Sequence, residues 1–199
     1  MNLNYTDEAK LTTRFEEALV YAAQLHAQQI RKITGVPYIS HLLSVAALVI
    51  EDGGSEDEAI AALLHDAIED RGGAKTGEVI RQKFGDKVAD IVESCTESDI
   101  VPKPPWQECK QKYLENIRNS SPEVLRVALA DKLHNARSNL FEWYTYGEKA
   151  WNKEQRERTL WFYRSVIEVA QLLGVSSFLL EELERVVKQL EAFSENISG

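Results

Sequence analysis

Residues 63–71 have the sequence LLHDAIEDR, in which pairs of polar residues alternate with apolar ones. At about 100° per residue on a helical wheel, these polar side chains occupy one arc of roughly 140° and apolar side chains fill the remainder. The four residues on the polar arc are His65, Asp66, Glu69 and Asp70. This is the pattern of an amphipathic helix whose polar face lies in solvent. The same face could supply half of a metal site, because imidazole and carboxylate groups bind divalent cations.

Two features of this segment favour a bound cation. Glu69 and Asp70 lie just before Gly72, at the C-terminal end of the predicted helix, where the helix dipole disfavours each acidic residue by up to about 1 kcal/mol. A nearby cation would reverse that penalty. His65 lies four residues before Glu69, and Asp66 four before Asp70, so each pair stacks on adjoining turns. Two metal ligands could therefore lie one turn from two acid–base groups.

The rest of the chain is also predicted to be helical. Hydrophobic periodicity predicts helices over residues 9–32, 41–51, 56–71, 76–84, 86–96, 106–117, 122–137, 153–173 and 177–193. Ser40, Ser55 and Ser121 are placed to cap three of these helices. Residues 98–106 (SDIVPKPPW) contain three of the five prolines and are predicted to form a loop. Because strand-like alternation is absent, the sequence predicts an all-α fold, a single-domain helical bundle.

Length and composition limit the possible functions. The 199 residues suit one domain over residues 1–199, with the helices of residues 153–197 packed on the rest. The net charge of −9 argues against nucleic-acid or anionic-membrane partners, which bind basic surfaces. The sequence has no long apolar run and its N-terminus does not resemble a signal peptide, so a cytoplasmic protein is expected. Cys95 and Cys109 are interpreted as reduced thiols.

Further candidate ligands lie outside the opening segment. Asp131 sits in the apolar run VLRVALADKLHNA, where an ionised carboxylate is costly unless it is paired with Lys132, with an arginine or with a metal. Asn135, four residues later, shares its helix face. His41 begins the second predicted helix and could be a ligand or a structural residue. His26 and His134 are interpreted as structural histidines.

Two imidazoles and two carboxylates from three helices of one bundle would suit a divalent ion such as Mn²⁺ or Fe²⁺, with water at the remaining positions. The residues that would provide them are His41, His65, Asp66 and Asp131.

Four consecutive segments resemble the hydrolase half of the RelA/SpoT proteins, which belong to the HD-domain superfamily of metal-dependent phosphohydrolases. The resemblance covers about residues 18–140. The matching segments are AAQLHAQQIRKITGVPYISHLLSVA (22–46), AIAALLHDAIED (59–70), FGDKVADIVESCTES (84–98) and RVALADKLHNARSNL (126–140). Together they contain the linked motifs R-K…PY-x-x-H, H-D-x-x-E-D and A-D-[KR]-L-x-N, whereas an HD dipeptide alone would indicate little.

The resemblance implies roles for individual residues. The family's metal ligands fall on His41, His65, Asp66 and Asp131, and its water-activating pair falls on Glu69 and Asp70. The family's basic pair around guanine and phosphates falls on Arg31 and Lys32, and its asparagine on Asn135. Lys132 and Arg137 are further candidates for offsetting substrate charge, or they are surface groups. The sequence leaves open which of the two acidic residues is the base.

The family's usual substrate is the alarmone (p)ppGpp, from which hydrolysis releases pyrophosphate at the 3′ position. The resemblance therefore implies a small (p)ppGpp hydrolase with a divalent cofactor, most plausibly Mn²⁺. One alternative is an HD phosphohydrolase acting on a nucleoside monophosphate or on the 2′-phosphate of NADPH. Another is a nucleotide-binding module without turnover. A homo-oligomer is possible, since the aromatic segment of residues 141–151 could pack on the core or on a second subunit.

Three departures from the long RelA/SpoT enzymes bear on specificity. The segment RKITGVPY has one more residue between the basic pair and His41 than the usual RKSGEPY. Arg71 stands where threonine usually follows the E-D pair, and TES replaces the usual TKL. Because these positions lie near the expected phosphates or base, the resemblance supports the metal chemistry better than it supports guanosine specificity.

Overall fold

The computed structural model describes residues 11–97, 102, 104–149 and 151–197. Within these ranges the chain forms α-helices joined by short turns, which confirms the all-α prediction. The helices are α1 (Thr13–Leu25), α2 (Ile39–Glu51), α3 (Glu56–Leu64), α4 (Ala67–Asp70), α5 (Ala74–Phe84), α6 (Asp86–Cys95), α7 (Trp106–Arg118), α8 (Pro122–Tyr146), α9 (Lys153–Leu172) and α10 (Phe178–Ile197). Most of the predicted loop of residues 98–106 lies outside the described residues.

Side-chain caps fix the starts of several helices. Ser55 forms a capping box with Glu58, in which each side chain accepts a hydrogen bond from the other residue's backbone N–H. The Ser121 hydroxyl accepts a hydrogen bond from the Val124 N–H, and Pro122 occupies the first helical position. The predicted caps at Ser55 and Ser121 are thereby confirmed.

Two predicted boundaries are wrong around the segment that connects α1 to α2. The first helix ends at Leu25 rather than at residue 32, and the following residues form a loop closed by an antiparallel bridge between Ile30 and Pro37. Gly35 makes this loop possible because its φ of +70° is unfavourable for other residues. Ser40 does not cap α2, because the helix begins one residue before it, at Ile39.

The segment that opened the sequence analysis is not one continuous helix. Helix α3 ends at Leu64 and α4 begins at Ala67, with Asp66 at φ −95° and ψ −1° between them. The Asp70 N–H donates to the Asp66 carbonyl over 3.0 Å, which starts the hydrogen bonding of α4 at Asp66. The prediction of a single helix over residues 56–71 is therefore wrong at His65 and Asp66, the two residues expected to bind metal.

Helix α3 is the centre of the bundle. Its residues from Ala59 to Leu64 are fully buried, and it contacts α1, α2, α6 and α8. The same apolar core extends from Ala18 in α1 to Leu190 in α10, so the two C-terminal helices share it. None of the helices in the described ranges is long and apolar enough to cross a membrane.

Arg126 connects α8 to α3 and to the end of α2 through charged groups that are largely buried. Its guanidinium donates to Asp52 over 3.0 Å and also pairs with Glu58, whose side chain is 4% exposed. Replacing Arg126 with alanine would leave two enclosed carboxylates without a counter-charge. We expect Arg126→Ala to lower the free energy of unfolding by about 3 kcal/mol, measured by urea denaturation.

Arg81→Ala is the matched control, because Arg81 pairs with three acidic residues that are largely exposed. Pairs of this kind contribute less than about 1 kcal/mol. Equal losses of stability in the two variants would contradict the role assigned to Arg126.

Candidate metal centre and active site

Three parts of the bundle bring two imidazole nitrogens and two carboxylate oxygens together. His41 comes from the first turn of α2, His65 and Asp66 from the junction of α3 and α4, and Asp131 from the middle of α8. The Nε2 atom of His41 lies 3.5 Å from Asp66 Oδ2 and 3.3 Å from Asp131 Oδ1. The Nε2 atom of His65 lies 3.1 Å and 3.6 Å from the same two oxygens. All four side chains predicted as ligands therefore converge.

These distances fit a cluster of metal ligands. Bonds of about 2.0–2.2 Å to one ion place neighbouring ligand atoms roughly 3.0–3.6 Å apart, which matches the four nitrogen–oxygen separations. His41, His65 and Asp66 are also close enough to hold one ion together. Within the described part of the chain, the buried Nε2 of His65 has no hydrogen-bond partner. A cation would supply the partner that this nitrogen lacks.

The break between α3 and α4 allows consecutive residues to serve one site. In an uninterrupted helix, neighbouring side chains diverge by about 100°. At the junction, the His65 ring and the Asp66 carboxylate instead approach to 3.1 Å. The junction therefore brings two consecutive residues together as candidate ligands of one centre.

The pKa shifts of the cluster show that it favours positive charge. Burial alone would lower the pKa of His65, but the Asp66 and Asp131 carboxylates hold it well above its ordinary value. Burial alone would raise the pKa of Asp66 and of Asp131. The His65 ring instead holds the pKa of Asp66 well below its usual range, and Lys132, together with His65, does the same for Asp131. Both groups are therefore carboxylates at neutral pH, as metal ligation requires.

Hydrogen bonds behind the imidazoles orient them. His65 Nδ1 donates to the Ala62 carbonyl over 2.8 Å, which leaves Nε2 directed into the cluster. His41 Nδ1 lies 2.7 Å from His134 Nδ1. Burial, the His41 ring and Arg31 lower the pKa of His134 to about 3, so its ring is neutral and its Nδ1 can accept a hydrogen bond from the Nδ1–H of His41. His134 thus orients a candidate metal ligand, a role that the sequence did not indicate.

The two carboxylates also have supporting partners. The Tyr38 hydroxyl donates to Asp66 Oδ2 over 2.6 Å. The Lys132 ammonium donates to Asp131 Oδ2 over 2.6 Å, and the Asn135 amide donates to Oδ1 over 2.5 Å. Asn135 in turn accepts a hydrogen bond from Arg31 over 3.0 Å. Arg31 and Asn135 are therefore joined to the cluster through one hydrogen-bond chain.

The acidic pair, Glu69 and Asp70, lies on α4, one turn beyond the cluster. The Glu69 carboxylate accepts the Glu97 backbone N–H over 3.2 Å. The Asp70 carboxylate accepts a hydrogen bond from the Gln29 amide NH₂ group over 2.6 Å. The amide oxygen of Gln29 accepts hydrogen bonds from Arg71 and His26. Both acidic residues face the same cavity as the cluster and are held in place by residues of other segments.

A cavity of about 640 Å³ opens beside the cluster and contains most of the predicted substrate contacts. Arg31, Lys32, Lys132 and Asn135 line it. Lys132 is buried, so it is not the surface group that the sequence left as an alternative. Arg137 does not line the cavity; it pairs with Glu182 of α10 over 3.1 Å.

A fourth cationic residue, Lys110, lines this cavity and was not predicted from the sequence. The Lys110 ammonium pairs with Glu97 and lies 4.3 Å from the centre of the Phe162 ring. Lys110 belongs to α7, outside the quoted motifs, and only its tertiary position brings it to the site. Arg71 faces Gln29 rather than the open cavity, with a 2.7 Å hydrogen bond.

The chain matches a known family over most of its length. Residues 18–159 match the family model described as HD domain. The guanosine-3′,5′-bis(diphosphate) 3′-pyrophosphohydrolase MESH1 of Xenopus tropicalis is 36% identical over 173 residues, which cover 85% of this chain and 90% of that protein. The protein of the same name from Drosophila melanogaster is 31% identical, over 89% of this chain and 95% of its own length.

Solved structures are similar as well. One is described as "A metazoan ortholog of SpoT hydrolyzes ppGpp and plays a role in starvation responses"; it has a TM-score of 0.76 and 28% identity, over 94% of this chain and 98% of that one. Another, lmo0812 from Listeria monocytogenes EGD-e, has a TM-score of 0.67 and 32% identity, over 79% of this chain and 99% of that one.

We expect a divalent cation to stabilise the fold through this cluster. A ligand at about 100 times its Kd contributes about 2.7 kcal/mol, which should raise the melting temperature by about 5–10 °C when Mn²⁺ is added. Asp131→Ala should abolish this increase, whereas Asp90→Asn, at a largely exposed acidic residue outside the cluster, should preserve it. An equal Mn²⁺-induced increase in Asp131→Ala would contradict the metal assignment.

The orienting role of His134 predicts an effect on metal affinity. His134→Leu removes the acceptor for the His41 Nδ1 proton and should weaken Mn²⁺ binding by about 10- to 100-fold in calorimetric titration. His134→Asn keeps a side-chain acceptor of similar reach and should restore most of the affinity. Unchanged affinity in His134→Leu would refute this role.

Proposed function

We propose, from the premise that this chain belongs to the HD-domain family, that it is a hydrolase which removes pyrophosphate from the 3′ position of (p)ppGpp. The observation that carries this function is the similarity to proteins named as guanosine-3′,5′-bis(diphosphate) 3′-pyrophosphohydrolases along 90% and 95% of their length. The convergence of all four candidate ligands beside a nucleotide-sized cavity supports the same conclusion.

The proposed metal ligands are His41, His65, Asp66 and Asp131, and Mn²⁺ is the proposed ion. Two imidazoles, each without a proton at Nε2 once an ion is bound, and two carboxylates suit such a borderline divalent cation. When bound, it would lower the pKa of a coordinated water and polarise a phosphoryl oxygen. Tyr38, Lys132 and Asn135 would hold the carboxylate ligands through the hydrogen bonds described above.

Glu69 and Asp70 are the proposed acid–base pair. One carboxylate takes a proton from a water molecule, and the oxygen of that water bonds to the phosphorus attached to the 3′ oxygen. The bond between that phosphorus and the 3′ oxygen breaks, and the oxygen receives a proton to become a hydroxyl group. Gln29 positions Asp70, and the Glu97 backbone N–H positions Glu69, so each carboxylate enters the reaction already oriented.

Local cations offset the substrate's charge. A protein with a net charge of −9 repels a nucleotide with several phosphate charges unless its binding site is locally basic. Arg31, Lys32, Lys110 and Lys132 supply positive charge in the cavity, but six carboxylates also line it, so a bound divalent ion would be needed to make the site favourable for phosphate groups. Arg137 belongs to the earlier substrate-contact prediction, but its pairing with Glu182 favours a surface role. A cytoplasmic location stays a prediction from the sequence.

A substrate panel tests the proposed function. Purified protein with Mn²⁺ is incubated with ppGpp, NADPH and nucleoside monophosphates, and the products are separated by ion exchange. We expect ppGpp to yield GDP and pyrophosphate. Cleavage of another nucleotide while ppGpp stays intact would show that the protein hydrolyses that nucleotide instead. Binding without any turnover would favour a nucleotide-binding module.

Variants of the acidic pair separate chemistry from binding. Glu69→Gln and Asp70→Asn should each lower kcat for ppGpp by about 100-fold or more, because general acid–base groups contribute on that scale. Both variants should still show the Mn²⁺-induced increase in melting temperature, since neither residue belongs to the ligand set. Wild-type kcat in both variants would contradict their proposed role.

A further inference from the structure

The carboxylate of Glu142 lies in the wall of the same cavity and has no role in the mechanism described so far. The residue is only 4% exposed. One of its oxygens accepts a hydrogen bond from the Trp151 indole N–H over 3.0 Å. Among the described residues, no cation lies within ion-pair distance of it. A buried carboxylate with one neutral donor retains several unused lone pairs, and those on the cavity side are available to a ligand.

Glu142 terminates a polar stripe that starts at the metal cluster. Asp131, Asn135, Asn139 and Glu142 are spaced by four, four and three residues along α8, so they share one helix face, and all four line the cavity. Glu142 lies 11 positions after Asp131, which corresponds to about 16 Å along the helix axis. The stripe therefore extends from the expected position of the reacting phosphorus over a distance comparable to an extended nucleotide.

The cations that contact this stripe do so near its metal end. Lys132 lies beside Asp131 at the metal end, and Arg31 contacts Asn135 one turn further on. The far end presents the Glu142 carboxylate together with the Asn139 amide, which is tied to the Tyr163 hydroxyl over 2.8 Å. A phosphate group placed against Glu142 would be repelled, so the far end suits the uncharged part of the nucleotide.

We propose that Glu142 determines base specificity by accepting hydrogen bonds from the N1–H and N2–H groups of guanine. This inference rests on the proposed function and adds to it the residue that selects the base. Guanine presents two adjacent donors on this edge, hypoxanthine keeps only N1–H, and adenine presents a lone pair at N1. A carboxylate therefore favours guanine, tolerates hypoxanthine and repels adenine.

The hydrogen bond from Trp151 makes this recognition directional. The indole N–H holds one carboxylate oxygen, which leaves the other oxygen to face the cavity. In Glu142→Gln the indole would hold the amide oxygen, and the amide NH₂ group would then face the donors of guanine. This variant has nearly the same shape but turns a donor–acceptor contact into a donor–donor contact.

The test measures by calorimetry the equilibrium binding of GDP, inosine diphosphate and ADP in the presence of Mn²⁺. GDP is used because it lacks the 3′ diphosphate that the proposed reaction removes. Wild-type protein should bind GDP about tenfold more tightly than inosine diphosphate, and ADP more weakly still. Glu142→Gln should weaken GDP binding by about 10- to 100-fold and abolish the difference between the guanine and hypoxanthine nucleotides.

Glu168→Gln is the matched control, since it makes the same charge change at an exposed position on α9 and should leave all three affinities unchanged. Folding is checked by thermal melting. Burial raises the pKa of Glu142, so the ionised carboxylate costs stability at pH 7 and Glu142→Gln should melt no lower than wild type.

Two results of the binding experiment would overturn the inference: equal wild-type affinities for GDP and inosine diphosphate, or a full preference for GDP in Glu142→Gln. Failure of the proposed function gives a different result, namely no pyrophosphate release from ppGpp, whatever the nucleotide affinities. If ppGpp and its inosine counterpart were hydrolysed with the same kcat/KM, the function would stand and the role of Glu142 would be refuted.

Discussion

The meeting of two carboxylates, Asp66 and Asp131, around two imidazoles inside an apolar bundle is the constraint on which the rest of the structure depends. Such a cluster is costly to bury unless every charge has a counter-charge or a hydrogen bond. Lys132 donates to the Asp131 oxygen that faces away from the imidazoles, and Tyr38 donates to the Asp66 oxygen that faces them. A divalent cation at the centre would contact both carboxylates. The surrounding helices must hold these groups within a few tenths of an ångström, and the small, fully buried residues of α3 allow the close packing that does so.

Local sequence signals predicted the helices better than they predicted the interruption at the site. The caps at Ser55 and Ser121 follow from short-range hydrogen bonding, which the sequence encodes directly. The break at His65 and Asp66 has no such signal, because neither glycine nor proline occurs there. Its stabilising contacts are tertiary: the Ala62 carbonyl fixes the imidazole, and the Tyr38 hydroxyl fixes the carboxylate. Helical periodicity averages over such a break and cannot detect it.

In the candidate site, too, residues that belong to sequence motifs could be predicted, whereas a residue brought there by tertiary packing could not. The ligand set was predictable because its residues occur in linked motifs, and Asn135 because it shares a helix face with Asp131. Lys110 was missed because its contribution depends on how α7 packs against α9. The polar stripe of α8, in contrast, was visible in the sequence. Asn139 and Glu142 continue the spacing of Asp131 and Asn135 within a helix whose buried residues are mostly apolar, a pattern that ordinary amphipathicity does not explain.

This stripe also explains how an acidic protein can bind an anionic nucleotide in one orientation. Lys132 and Lys110 lie among the carboxylates of the metal end, where a bound divalent ion would add positive charge, whereas Glu142 lies at the opposite end of the stripe. A ligand with phosphates at one end and hydrogen-bond donors at the other is attracted in one direction and repelled in the reverse one. In the proposed function, orientation of the whole nucleotide would bring the 3′ phosphorus to Glu69 and Asp70, so selection of the base and placement of the reacting bond would both depend on how the nucleotide lies along this stripe.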